Sequence, residues 1–216
     1  MGVQKSKKTT VYEYLKKNII SGSFEQGEPL VEGVLAKELK TSKTPVREAM
    51  QQLEKEGFIE SFPGKGAFVS RMSFPDIREI FEIREILECE VIKRVAARGE
   101  FNKDEVIAIA KKFESVGHEG HRNCKGHFRA GEQIHTFIFE AFGNRRLLAF
   151  YKGFKEHVER LRLFYFSDQT RNARADQSFE EHMKILEALI AKDPQKAEAA
   201  MREHLQNSTA FLKKIA

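Results

Sequence analysis

Cysteine is scarce in this chain of 216 residues, and long apolar runs are absent from it. Two cysteines without close paired spacing cannot build a disulfide scaffold, so we expect reduced thiols. No apolar stretch approaches the roughly 18 residues of a membrane span, and no charged-then-apolar leader is evident. These absences favour a cytoplasmic protein that has no membrane segment.

Strong net charge is also missing, since the formal value of +5 excludes a polybasic tail protein. The small excess is nevertheless uneven along the chain. Residues 1–72 hold 12 Lys and Arg against 9 Asp and Glu, whereas the remainder holds 25 against 23. This denser basic excess fits a small DNA-facing domain in the first third of the chain.

The first third changes its apolar period once. Helical spacing predicts helices over about 9–22, 32–39 and 44–56, and a period of two then marks a hairpin at 58–62 and 67–70. Three helices followed by a hairpin predict a winged helix-turn-helix over residues 9–72, preceded by a flexible arm at 1–8.

The third of these helices carries cations where an isolated helix disfavours them. We expect it to begin at Pro45 with Thr44 as its N-cap, which places Arg47 in the first turn beside Lys43. Positive charge at that end opposes the helix dipole, and Glu48 offsets it only in part. The sequence therefore predicts an anionic partner such as DNA.

Residues 29–32 (Pro-Leu-Val-Glu), 42–50 (Ser-Lys-Thr-Pro-Val-Arg-Glu-Ala-Met) and 56–57 (Glu-Gly) resemble the DNA-binding domain of GntR-type bacterial transcription regulators. The resemblance implies contacts with base edges or phosphates from the third helix, and a wing tip in the hairpin turn. By position these residues are Ser42, Lys43, Thr44 and Arg47 on the helix, and Gly64, Lys65 and Gly66 in the wing.

Two positions depart from that family's pattern. Gly33 stands where many members have an Arg that contacts DNA, and Lys43 stands where Arg is usual. Because Lys cannot offer a rigid two-pronged contact to guanine, we expect fewer such contacts here.

Beyond Ser73 no further strand signal appears. Helical spacing predicts helices at about 74–98, 102–116, 126–142, 145–167, 173–191 and 194–214, with short breaks between them. The predicted fold is thus mainly α, with an antiparallel all-α bundle over residues 73–216 behind the winged domain.

Three histidines lie on apolar stripes of three different predicted helices. His135, His182 and His204 should therefore point inward and could converge on one cavity. Neutral imidazoles bind Zn, Ni, Fe or Mn well and are costly to bury without partners. The pattern predicts a divalent metal site, although a single buried His is more often a hydrogen-bonded core residue.

The spacing of these histidines, with Phe81-x-x-Arg84-x-x-Leu87-Glu88 upstream, resembles the FCD ligand-binding domain of the FadR-like branch of that family. Six helices would suit its shorter, VanR-like variety. Metal-binding members use an Asp four residues before the first His, and Gly131 stands there instead. Glu132 is the nearest substitute ligand, with a solvent-facing carboxylate as the alternative.

A small organic acid is the effector that the resemblance implies. Arg84 could pair with Glu88 one turn away or clamp an effector carboxylate, and both readings stay open. Asn144, Arg162 and Tyr165 are further pocket candidates.

The sequence thus predicts a regulator, not an enzyme, that acts as a homodimer on palindromic double-stranded operator DNA. The resemblance implies that it represses transcription. A small carboxylate bound near the metal would control it. One alternative is a metal-dependent hydrolase or oxygenase built on the histidines, with Glu132 as the base. Another is an architectural DNA-binding protein without an effector.

Overall fold

The chain divides into two compact units. The computed structural model describes residues 6–117, 124–165 and 168–215. One unit holds the residues up to Ser73 together with Glu159–Phe164, and the other holds Phe74–Val158 and the residues from Tyr165 onward.

The N-terminal unit is a winged helix-turn-helix, as the change of apolar period predicts. In the sheet, β3 lies between β1 and β2 and runs antiparallel to both. Leu15, Val46, Leu53 and Phe58 are fully buried in the core that the helices and sheet share. The elements are α1 (Lys7–Ser21), β1 (Pro29–Leu30), α2 (Glu32–Glu38), α3 (Lys43–Lys55), β2 (Ile59–Phe62) and β3 (Gly66–Val69).

The first helix begins earlier than its apolar spacing indicates. Ser6 is the N-cap, and its hydroxyl accepts a hydrogen bond from the Thr9 amide at 3.1 Å, so Lys7 and Lys8 are helical. We predicted a flexible arm over residues 1–8, and this is wrong for residues 7 and 8, which belong to the first helix. Residues 1–5 lie outside the described residues. Gly22 ends the helix at φ +77°, a left-handed conformation that favours glycine.

The start of α3 also differs from the prediction, because Ser42 and not Thr44 is its N-cap. An N-cap hydroxyl normally accepts from the second or third helical amide. Pro45 is the third residue here and has no N–H, and the Ser42 side chain makes no capping hydrogen bond.

The wing turn follows its sequence closely. The Lys65 amide donates to the Phe62 carbonyl at 3.0 Å, and Gly64 takes φ +72°, the positive φ that a type II turn needs after Pro63. Strand β1 was not predicted. Its two residues are too few to show a period, and only the pairing of Pro29 with Phe68 and Leu30 with Ala67 makes them a strand.

The second unit is a bundle in which six helices fall within the described residues. Helix α4 packs along α9, α9 packs on α8, and α6 contacts α4, α5 and α8. The helices are α4 (Phe74–Arg98), α5 (Lys103–Gly117), α6 (Cys124–Phe142), α7 (Arg145–Tyr165), α8 (Asp168–Ile190) and α9 (Pro194–Ile215).

These bounds agree with the predicted helices to within two residues, with one exception. Helix α8 begins at Asp168, five residues before the predicted start at 173. The segment 168–172 is polar and offers no apolar stripe from which a helix could be predicted. Among the described residues, no helix is long and apolar enough to span a bilayer.

Candidate metal centre and DNA-contacting surface

Three helices of the bundle bring the predicted histidines together. His135 comes from α6, His182 from α8 and His204 from α9, and all three are buried, with at most 4% of their surface exposed. One ring nitrogen from each lies within 4.8 Å of the others. The inward positions that helical spacing predicts thus place three imidazoles in one cluster.

The Nδ1 atom of each ring is already engaged. His135 Nδ1 lies 2.5 Å from Glu88 Oε2, and His204 Nδ1 lies 2.8 Å from Glu181 Oε2. His182 Nδ1 lies 2.6 Å from the Ser178 carbonyl oxygen. Carboxylate and carbonyl oxygens accept only, so we assign the N–H of every ring to Nδ1.

This assignment leaves the lone pairs on Nε2. The Nε2 atoms of His135 and His182 are 3.2 Å apart, and Nε2 of His204 is buried with no hydrogen-bond partner among the described residues. Converging lone pairs repel unless a cation lies between them. Imidazoles that donate Nδ1–H to a carboxylate or carbonyl while Nε2 is open have the form of metal-binding histidines.

Each of the two carboxylates is held in turn by an arginine. Arg84 Nε donates to Glu88 Oε1 at 2.6 Å, and Arg174 Nη2 donates to Glu181 Oε2 at 2.5 Å. Burial alone would raise the pKa of Glu88, but the Arg84 charge and the adjacent His135 ring lower it to about 2. The cluster therefore contains two Arg–Glu–His relays, one centred on Glu88 and the other on Glu181.

The arginines retain unused donors. Arg84 Nη1 and Arg174 Nε and Nη1 are buried and have no hydrogen-bond partner among the described residues. Both side chains are no more than 2% exposed. Buried guanidinium N–H groups without acceptors are costly, so an anion at this place would be stabilising. Arg84 thus pairs with Glu88 and still has a donor to offer.

His204 is kept neutral by its surroundings. Burial, reinforced by the neighbouring His182, holds the pKa of His204 well below its usual range. A neutral imidazole is the form that binds a metal ion.

Gly131 leaves space that His182 fills. A Cβ at position 131 would lie 2.9 Å from Cε1 and 3.1 Å from Nε2 of the His182 ring. That ring is fixed at its other nitrogen by the Ser178 carbonyl. An aspartate at 131 would therefore collide with one of the three imidazoles.

The other predicted pocket residues whose side chains are described do not join the cluster. Glu132 is partly exposed, lies 3.5 Å from the Tyr151 hydroxyl, and is not among the groups whose ligand atoms converge. Asn144 is exposed and caps α7, where its Oδ1 accepts from the Arg146 and Leu147 amides. Arg162 is partly buried within Glu159–Phe164, the segment that groups with the N-terminal unit. The side chain of Tyr165 lies outside the described part.

Sequence reasoning missed Arg174, the role of Glu181 and the Ser178 carbonyl. Arg174, Ser178 and Glu181 share the inward face of α8 with His182, with spacings of three, four and seven. Charged residues on an apolar stripe were the available signal, although no spacing rule pairs Glu181 with a histidine of another helix.

On the winged domain, Arg47 has a partner that the sequence did not indicate. Its Nε donates to Glu32 Oε1 at 2.8 Å and its Nη2 donates to Glu32 Oε2 at 2.7 Å. Arg47 therefore has an acidic partner within the winged domain in addition to the neighbouring Glu48. Because α3 begins at Lys43, Arg47 is its fifth residue and lies beyond the first turn in which we expected it. The Arg47 side chain is nevertheless 60% exposed.

The remaining predicted DNA-contacting residues lie on the surface. Ser42, Lys43 and Thr44 are exposed, as are the wing residues Gly64, Lys65 and Gly66. The two departures from the family pattern are neighbours in space, since a Cβ at Gly33 would lie 3.6 Å from Cε and 3.9 Å from Nζ of Lys43.

Comparison with known families matches both parts of the chain. Residues 7–69 match "Bacterial regulatory proteins, gntR family" and residues 79–207 match the FCD domain.

Individual proteins are similar over nearly the whole chain. The HTH-type transcriptional regulator YdhC of Bacillus subtilis is 29% identical over 94% of this chain and 90% of its own. The probable D-xylose utilization operon transcriptional repressor of Paenarthrobacter nicotinovorans is 29% identical over 90% of this chain and 84% of its own. The solved structure of Escherichia coli McbR/YncC superposes with a TM-score of 0.76 at 22% identity, covering 98% of this chain and 99% of that one.

A side chain at position 131 should weaken the cluster instead of completing it. Glycine-to-alanine exchange in a helix interior ordinarily stabilises by about 0.8–1.0 kcal/mol. Here we expect Gly131→Ala and Gly131→Asp both to destabilise by about 1–3 kcal/mol, because each Cβ forces the His182 ring to move. Urea denaturation measures the stability, and isothermal titration with Zn²⁺ measures the affinity. Tighter zinc binding by Gly131→Asp than by the wild type would contradict this expectation.

The depressed pKa of His204 makes stability depend on pH. An unfolded histidine binds a proton near pH 6.5, whereas the folded, buried His204 does not, so the unfolded state gains protons first. With chelator present, stability should fall as the pH drops below about 6.5, by up to about 1.4 kcal/mol per pH unit from this group. Thermal melts from pH 7.5 to 5.5 should show a shallower slope for His204→Asn than for the wild type. Equal slopes in the two proteins would refute the assignment.

Proposed function

Because this chain belongs to the GntR family of bacterial transcriptional regulators and carries an FCD domain, we propose that it is a metal-dependent, acid-responsive repressor. In this proposal a homodimer binds palindromic operator DNA in the cytoplasm. A small organic acid binds beside a divalent metal in the bundle and weakens that binding. The observation that carries the effector half is the convergence of three buried imidazole nitrogens, of which Nε2 of His204 has no hydrogen-bond partner among the described residues.

The DNA-binding half rests on the exposed surface of α3 and the wing. Ser42 makes no capping hydrogen bond, so its hydroxyl can donate to phosphate. Arg47 presents a guanidinium in the first turns of the helix that a winged helix-turn-helix places in the major groove. The wing tip at Lys65 is suited to contact the sugar-phosphate backbone of DNA, because the flanking glycines let the protein chain approach phosphate closely.

The metal would be held by Nε2 of His135, His182 and His204. This donor set fits a divalent ion such as Zn²⁺, Ni²⁺, Fe²⁺ or Mn²⁺, because all three Nδ1–H groups are fixed and His204 is neutral. When bound, the metal supplies a Lewis-acid centre to which a carboxylate can coordinate.

The effector carboxylate would also meet the arginines. Arg84 and Arg174 have buried N–H groups without an acceptor among the described residues, and each arginine is fixed in place by its glutamate. Planar, preoriented guanidinium groups recognise carboxylates better than a flexible ammonium does. The bundle's own contribution is thus to orient the acid and to exclude water from it.

Dimerisation and control follow from general constraints. One short reading helix rarely supplies enough specificity alone, so two half-sites and two chains are expected. The acid must bind one arrangement of the DNA-binding domains better than the other, since equal affinity for both would shift nothing. Repression as the sign of control is supported by the name of the relative from Paenarthrobacter nicotinovorans.

A catalytic role for the histidines has less support. Hydrolysis would need a general base beside the metal, and the candidate Glu132 does not converge with the three imidazoles.

Metal should stabilise this protein through the three histidines. Zn²⁺ at about 100 times its dissociation constant should add about 2.7 kcal/mol of stability, which thermal denaturation detects as a raised Tm. His204→Ala should lose the increase, whereas His157→Ala, outside the cluster, should keep it. Small carboxylates should raise Tm further only when metal is present. Purified protein that contains no metal and gains no stability from Zn²⁺ or Ni²⁺ would overturn the metal site.

Arg47 should matter more than Lys43 for operator recognition. A guanidinium can make a rigid two-pronged contact with guanine and a flexible ammonium cannot, so Arg47→Ala should cost about 5- to 100-fold in specific affinity and Lys43→Ala less. Fluorescence anisotropy on a duplex selected from a randomised library measures both. Lys55→Ala, in the last turn of α3, serves as the control. A larger loss for Lys43→Ala than for Arg47→Ala would be the contrary result.

A further inference from the structure

Glu32, the first residue of α2, and Arg47, the fifth residue of α3, form a two-pronged ion pair. The two hydrogen bonds, at 2.8 and 2.7 Å, run side by side from Nε and Nη2 of the guanidinium to the two carboxylate oxygens. Such a fork fixes the plane of the guanidinium as well as its position. Arg47 is thus held in one orientation before any partner arrives.

The edge of the guanidinium that Glu32 binds is its side edge. The end of the group, formed by Nη1 and the outer N–H of Nη2, takes no part in this fork. That end matches the O6 and N7 acceptors of guanine, which together accept a two-pronged contact. The arginine is therefore paired with the protein along one edge and can pair with a base along another.

An acid at this place is otherwise unfavourable for a DNA-binding surface. Glu32 is 29% exposed and would face the phosphate backbone's negative charge. The hydrogen bond from Arg47, opposed in part by desolvation and aided by the nearby Lys43, lowers the pKa of Glu32, so the acid is ionised at neutral pH. Glu32 would repel DNA of any sequence and thereby lower the protein's general affinity for DNA. By orienting Arg47 toward a base, it would raise the protein's selectivity for its operator.

We propose that Glu32 is a positioning residue for operator recognition, holding Arg47 so that its free end meets a guanine in each half-site. Glu32 itself touches no base. The proposal rests on the proposed DNA-binding function and deepens it.

The test compares specific and nonspecific binding of the full chain. The wild-type protein first selects a duplex from a randomised library, and a shuffled duplex of equal length is the nonspecific partner. Glu32→Gln keeps the size of the side chain but loses the charge and one acceptor oxygen. We expect about tenfold weaker binding to the selected duplex, and unchanged or tighter binding to the shuffled one because repulsion is lost.

Glu48→Gln is the matched control, because it removes the same charge from the exposed residue next to Arg47. It should change the affinity for both duplexes by the same factor. If Glu32→Gln behaves like this control, Glu32 acts only through its charge and the positioning role is wrong.

A double variant and a second selection separate positioning from a general structural effect. In an Arg47→Ala background, Glu32→Gln should cause no further loss of specific affinity, and selection with Glu32→Gln should relax the preference at one G·C pair per half-site. An additional loss, or an unchanged preference, would overturn the proposal. A wild-type protein that enriches no sequence would overturn the proposed function itself, which is a different result from a selective protein indifferent to Glu32.

Discussion

The bundle depends on how it buries three imidazoles. Polar rings removed from water must be hydrogen-bonded, and here each Nδ1 finds a fixed acceptor on the inward face of a helix. Two of those acceptors are carboxylates, which themselves need cations, so Arg84 and Arg174 are drawn into the interior as well. The relative positions of α4, α6, α8 and α9 are therefore constrained by one polar network as well as by apolar packing.

The same device recurs on the winged domain. Glu32 holds Arg47 as Glu88 holds Arg84, in each case through a carboxylate that accepts from a guanidinium. The two ion pairs have different effects because one is buried and the other is exposed. The buried pair must keep its geometry because a lost partner would leave an uncompensated charge in the core, whereas the exposed pair is weak and acts mainly on orientation. The same kind of ion pair thus serves stability within the bundle and orients a side chain on the surface of the winged domain.

Local patterns in the sequence predicted most of this fold and, within the buried cluster, the three histidines but not all of their partners. Helical spacing located the bundle helices and placed His135, His182 and His204 inward, because periodicity is itself a record of burial. What local patterns could not reveal are partners distant along the chain. Glu32 lies 15 residues before Arg47, Glu181 precedes His204 by 23, and strand β1 exists only through β3. The N-cap of α3 was predicted at Thr44 and lies at Ser42, whose side chain makes no capping hydrogen bond; Pro45 lacks one of the two amides that such a cap can use.

The His182 ring fills the space beside Gly131, where an aspartate would otherwise bring a negative charge to the proposed metal site. The converging donors are imidazole nitrogens and include no carboxylate, so they bring no negative charge to the site, and the nearby charges of Glu88 and Glu181 are balanced by Arg84 and Arg174. A divalent ion bound there would keep both of its positive charges uncompensated inside a medium of low polarity. An anion from outside would offset that charge, so a bound acid would strengthen the binding of metal and a bound metal would strengthen the binding of acid.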